Sequence, residues 1–177
     1  MKKVIALALA ACTALCLCSC KKTEKAKSEI ADLAKQGKMT ESEFDLGTDP
    51  SVIINAFEDK KEELTVNEGE STVKLSLDNF DYHYYKSSKD NGISVIVNFG
   101  DAYGFENGQA MSDDVTKAID GKYTLKTATP EQTYFLRDSA QNCEVLSYTF
   151  GNYRLEFYFI DYFLAATCLA DMNYWQD

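Results

Sequence analysis

Apolar and polar residues alternate in several short runs. Val73, Leu75 and Leu77 take every second place in Thr72–Leu77, and the same period of two returns over Ile93–Phe99, Cys143–Phe150 and Tyr153–Ile160. Successive side chains of a strand point to opposite faces, so these runs predict strands with one buried face. Tyr82–Lys86 reads as an aromatic strand, Thr133–Arg137 as a short one and Phe163–Leu169 as the last. Asp90-Asn91-Gly92 and Gly151-Asn152 supply turn residues suited to positive φ, and Asp161-Tyr162 marks a further turn. Two stretches break the alternation. Thr48-Asp49-Pro50-Ser51-Val52-Ile53-Ile54-Asn55-Ala56-Phe57 parallels Met111-Ser112-Asp113-Asp114-Val115-Thr116-Lys117-Ala118-Ile119, each a polar cap leading into a short helix. Thr48 or Asp49 caps the first, with Pro50 at its first position; Ser112 caps the second, with Asp113 and Asp114 in its first turn. The first helix is expected to run to about Leu64 and the second to end near Gly121.

A short helix followed by a three- or four-stranded meander therefore occurs twice, giving half-repeats at about 44–107 and 108–177. The predicted class is α+β, an antiparallel sheet with short helices packed on one face. Alternation also sorts the side chains. Leu155, Phe157 and Phe159 share a face with Leu146, Tyr148 and Phe150, which predicts a core beneath the helices. Arg154, Glu156, Tyr158 and Ile160 lie opposite, with Val145, Ser147 and Thr149. That second set predicts an open sheet face, and Arg154, Glu156 and Tyr158 are its candidate partner-binding residues, because Tyr and Arg are enriched at interaction surfaces. Tyr equally suits a half-buried strand.

The first twenty residues follow another pattern. Lys2 and Lys3 precede Val4–Leu17, an uncharged run of fourteen residues that Lys21 and Lys22 follow closely. This length fits the ~7–15 residues of a secretory h-region and falls short of the ~20 a membrane span needs. Its end, Leu17-Cys18-Ser19-Cys20, resembles the lipobox of bacterial lipoproteins: a branched apolar residue, a small residue before the cut, then Cys. Leu9-Ala10-Ala11-Cys12 is a second local match, but cleavage there would leave a short h-region and a dangling apolar stretch. The resemblance implies cleavage between Ser19 and Cys20, a diacylglyceryl group on the Cys20 sulfur and an acyl chain such as palmitate on its amine. Two or more chains anchor a protein stably. Residues 1–19 are then a lipoprotein signal peptide, 20–43 the lipidated Cys and a flexible tether, and 44–177 a single domain. Within the tether, Ser28–Gln36 is expected to be a short helix capped by Ser28 and stopped by Gly37.

Composition narrows the partners. Removing residues 1–19 of 177 leaves 158. Losing Lys2 and Lys3 takes the basic count from 18 to 16 against 28 acidic residues, a net charge of −12. Nucleic acid, which draws clustered Lys and Arg, is excluded as the expected partner. Of six cysteines, Cys12, Cys16 and Cys18 leave with the signal and Cys20 carries lipid, so only Cys143 and Cys168 remain. They fall on strands that are not neighbours, which argues against a disulfide.

Catalytic signals are sparse. His83 is the only histidine, in Asp81-Tyr82-His83-Tyr84-Tyr85, and any Ser-His-Asp or Cys-His arrangement would have to use it. No HExxH, GxSxG, phosphate-cradling Gly loop or CxxC occurs. Asp101, Glu106, Asp113 and Asp114 flank the link between half-repeats without an EF-hand pattern. No cofactor or metal is implied.

The tandem of short helix plus antiparallel meander, on a lipoprotein tether, resembles the β-lactamase-inhibitor-protein-like folds, a group that includes the small outer-membrane assembly lipoproteins of the SmpA/OmlA type. The resemblance covers Asp49–Asp171 and is one of pattern. It implies a binding role through the sheet's open face. The expectation is a lipid-anchored, non-enzymatic module on the extracytoplasmic side of the cell membrane, binding a protein, peptide or envelope component. The alternative is an extracytoplasmic hydrolase or substrate-binding accessory that uses carboxylates near His83.

Overall fold

The computed structural model describes residues 29–60, 63–87, 92–129, 133, 135–136 and 142–174. Its eight strands are β1 (Leu64–Glu68), β2 (Thr72–Leu77), β3 (Phe80–Tyr85), β4 (Val95–Asn98), β5 (Tyr123–Thr127), β6 (Cys143–Phe150), β7 (Tyr153–Ile160) and β8 (Phe163–Asp171). They form one open antiparallel sheet in the order β1-β2-β3-β4-β8-β7-β6-β5. Two four-stranded meanders therefore meet where β4 lies against β8. Among the described residues there are three short helices, α1 (29–35), α2 (Pro50–Ala56) and α3 (Ser112–Ala118). The architecture is α+β, as the alternation predicts.

Local chemistry sets the helix ends. Helix α1 stops at Gly37, which takes φ +71°, a conformation that costs Gly nothing sterically. The Gly37 N–H donates to Ala34 O and the Lys38 N–H to Leu33 O, the paired bonds of a Schellman C-terminus. Asp49 caps α2 by accepting from the Ser51 N–H at 2.9 Å, with Pro50 at the first position. This helix ends at Ala56 rather than near Leu64. Of its residues only Pro50 and Ile53 are buried, and the charged stretch that follows offers no apolar stripe to extend. In α3 the N-cap is Met111, not Ser112. The Asp114 carboxylate accepts from the Met111 N–H at 3.0 Å, so the acidic first turn caps the helix in place of the serine.

Several boundaries differ from expectation for a common reason. Strands β1 and β5 form the two edges of the sheet and are almost wholly exposed, so their short alternations of apolar and polar residues mark no buried face. Thr133–Arg137, expected as a strand, is helical at Thr133, whose N–H donates to Thr129 O, and turns at 135–136, with the Leu136 N–H donating to Thr133 O. The Asp90-Asn91 turn and residues 1–28 lie outside the described residues. Residues 29–43 are not a tether. Ile30, Ala31, Ala34 and Met39 are buried in the main core, the Tyr103 hydroxyl donates to Lys38 O at 2.9 Å, and Ser42 Oγ lies 3.1 Å from the Tyr82 hydroxyl. Ile30, Ala31 and Ala34 at helical spacing, with Met39 beyond the Gly37 turn, hold this segment on the sheet.

The helices cover one face, here called the inner face. Ile53 of α2 and Val115 of α3 pack with Leu75, Tyr82, Ile96, Leu146, Leu155, Phe157, Phe159 and Leu169, as the parity of β6 and β7 predicts. Burying each such aliphatic side chain contributes about 2 kcal/mol. Tyr103 and Phe105, from the β4–α3 connection, meet the Phe157 ring edge-on at centroid distances of 6.4 and 5.7 Å. The β7–β8 ladder shifts register between Tyr158 and Phe159. There the Asn107 side-chain amide donates to Ala165 O at 3.1 Å and to Phe99 O at 2.7 Å, which satisfies a carbonyl close to the irregularity and ties β8 to the end of β4.

Candidate functional site

The outer face carries the candidate residues. Cross-strand register sets them in two rows. Lys74, His83, Val95, Ala170, Arg154 and Thr149 form one; Ser76, Asp81, Val97, Cys168, Glu156, Ser147 and Thr124 form the other. Arg154, Glu156 and Tyr158 do share this face. The middle of the face is not open, however. Glu156 and Tyr158 are both 0 % exposed, and the Arg154 side chain is 12 % exposed. Phe135, from the β5–β6 connection, lies edge-on to the Tyr158 ring at 5.1 Å. It belongs to a second apolar cluster with Val95, Val97, Val145, Ala166, Cys168 and Ala170.

Glu156 is a buried acid with a full set of partners. The Tyr158 hydroxyl donates to Oε2 at 2.6 Å, the Ser147 hydroxyl to Oε1 at 3.0 Å, and Arg154 Nη1 stands 3.7 Å from Oε1. Stripped of them, a buried carboxylate would cost several kcal/mol. Burial, reinforced by Cys168 and Glu156, pushes the Tyr158 phenol far up. Burial also raises both thiols, Cys143 to about 11. The Tyr158 phenol and the two thiols are thereby held un-ionised. Cys143 on β6 and Cys168 on β8 are separated by β7 and are free thiols.

His83 lies on the same face in the other meander and is 9 % exposed. Burial lowers its pKa to about 4, Asp81 opposes the shift, and Lys74 adds to it. Its Nε2 has no hydrogen-bond partner. Lys74 Nζ is 3.3 Å from Asp81 Oδ2. A neutral, enclosed imidazole beside one carboxyl has the composition of an acid–base pair without access for a substrate. The acidic residues of the α3 approach are spent locally. Asp101 accepts from the Asn107 N–H, Asp114 caps α3, and Asp113 stands 4.0 Å from Lys117. Among the described residues no three His, Cys, Asp or Glu side chains gather as a metal site.

Three surface grooves have distinct character. One, about 510 Å³, lies between α2 and the β2–β3 turn and is lined by Glu41, Glu43, Glu63 and Asp78, with Lys60. A small one, about 270 Å³, flanks the Asp161-Tyr162 turn. The largest of the three, about 730 Å³, opens on the outer face at the β5 edge. Lys122, Lys126 and Arg154 bring three positive charges to it, and Thr124, Ser147 and Thr149 three hydroxyls. None of the three is lined by His83. The expected face thus reaches solvent at Arg154 and beyond, toward β5, rather than at Tyr158. Strand β5 escaped the sequence reading; the signal that could have found it is Lys122-Tyr123-Thr124-Leu125-Lys126, which alternates basic or hydroxyl with apolar.

The chain matches no protein-family model, and comparison with curated proteins and with solved structures finds no match either. Among the described residues no helix is long and apolar enough to cross a membrane.

Proposed function

We propose that this chain is a lipid-anchored, extracytoplasmic binding module of the bacterial envelope, without catalysis, whose outer sheet face engages a protein, peptide or envelope component at the β5–β6–β7 edge. The observation that carries the reading is the groove itself. On a chain of net charge −10, Lys122 and Lys126 converge with the hydroxyls of Thr124 and Thr149 at an exposed sheet edge, beside the Arg154 and Ser147 that hold Glu156. Such a cluster favours a ligand of complementary charge. The anchoring half of the proposal rests on Leu17-Cys18-Ser19-Cys20. The two halves also read as a tandem. Counted from their hairpin turns, Asp81, His83 and Tyr85 take the second, fourth and sixth places of β3, and Arg154, Glu156 and Tyr158 take those places of β7. Both half-repeats thus set two polar side chains and a tyrosine on the outer face.

Two measurements test the proposal. Mass spectrometry of the mature N-terminus should find acylated Cys20, and Cys20→Ala should release the protein from membranes; an unmodified Cys20 on a membrane-free protein would refute the anchor. A photo-cross-linking side chain at Thr149 should capture an envelope component that one at Thr65, on the opposite edge, does not. Equal capture at both positions, or none, would refute the sheet-edge site.

A further inference from the structure

Strand β5 is basic on one face, apolar on the other and unpaired along its outer edge among the described residues. We infer that it is a template for an extended peptide in which acidic and apolar residues alternate, added to the sheet as a ninth strand. The inference rests on the sheet-edge reading above and names the partner's chemistry.

Register fixes the two faces. Thr124 pairs with Ser147 and Lys126 with Val145, so Lys122, Thr124 and Lys126 look onto the outer face. Tyr123 pairs with Tyr148 and Leu125 with Leu146, on the inner face. There they are 51 % and 45 % exposed, two apolar side chains side by side on an edge strand, where the opposite edge exposes one large apolar side chain, Val66, on this face. The backbone is available too. The Ala128 N–H donates to Cys143 O. Hydrogen-bonded pairs alternate in an antiparallel ladder, so 126/145 and 124/147 are bonded likewise. The N–H and C=O groups of Tyr123, Leu125 and Thr127 therefore point away from β6.

An incoming strand would meet these groups with its own backbone, as in β-augmentation. Its side chains on the outer face would stand beside Lys122 and Lys126, where carboxylates are favoured. Among the described residues neither lysine has an ion-pair partner. Its side chains on the inner face would cover Tyr123 and Leu125. A second copy of β5 paired antiparallel about Thr124 would instead set Lys122 against Lys126, which cross-strand pairing disfavours, and no register offers either lysine an acidic partner. The edge thus selects an acidic strand over its own copy.

The test uses the full-length chain in detergent and two labelled peptides, Glu-Val-Glu-Val-Glu-Val-Glu and its counterpart with Lys in place of Glu. The first should bind and the second should not. Binding should slow hydrogen exchange at the Tyr123, Leu125 and Thr127 amides. Leu125→Pro removes one outward N–H without touching a bond to β6, and should abolish binding while circular dichroism stays unchanged. The Lys122→Glu/Lys126→Glu double variant should weaken binding by at least about tenfold, two cross-strand charge pairs being reversed. Equal binding of both peptides, binding without added protection at the three amides, or an unaffected double variant would each overturn the inference. Thr149 cross-linking separates the two levels. If it persists in Leu125→Pro, the added strand is refuted and the sheet-edge site stands. If it fails in the wild-type chain, the site itself is refuted.

Discussion

His83 shows how far a single residue can be read. Its place on a strand beside Asp81 follows from the sequence, because parity sets both on one face. Its enclosure does not, since it depends on packing across the sheet. The consequence for stability has a definite sign. The folded pKa, about 4, lies below the ordinary 6.5, so between those values the unfolded chain takes up a proton that the folded chain refuses. Stability therefore falls as pH drops from 6.5 toward 4, by about 3 kcal/mol in all, and this contribution levels off below pH 4. His83→Gln should flatten that part of the stability–pH curve relative to wild type in urea titrations, with the carboxylates common to both; identical curves would contradict a buried neutral imidazole. Tyr158 carries the same lesson. Its face was legible, whereas its cover, Phe135, comes from a connection with no periodic pattern.

The elements divide along a physical line. Strands that alternate over six to eight residues were legible: β2, β6 and β7 begin and end as their alternation predicts. Edge strands were not, because the alternation of a five-residue strand exposed on both faces, such as Lys122-Tyr123-Thr124-Leu125-Lys126, is too short to stand out from a loop. Helix α1 was legible through Gly37, yet its packing was misjudged, since a Lys- and Glu-rich segment can still present one apolar stripe. The join between elements is where a mutation should tell most. Asn107→Ala would remove the side-chain amide that donates to Phe99 O and Ala165 O and should lower stability by about 2 kcal/mol. A reduced urea midpoint at unchanged slope is expected; an unaltered midpoint would show that water replaces the amide fully.

For the whole molecule, the α+β class and the helix-covered face were legible, and so was the distance between the two cysteines. With β7 between them and both thiols buried, Cys143 and Cys168 should resist iodoacetamide in the native protein and both react after unfolding; a Cys143–Cys168 disulfide in a peptide map would contradict the strand order. What local pattern could not announce is that the last strand of the second meander lies against the last strand of the first. The four-residue ladder from Val95↔Ala170 to Asn98↔Thr167 has a consequence in time. Each meander can zip through near neighbours, but their union joins β4 to β8, strands far apart in sequence. Such distant contacts are the slow part of folding. A chain cut before β8 would present two raw edges, β4 and β7, in place of a continuous sheet. The two meanders therefore become one sheet only when β8 is in place.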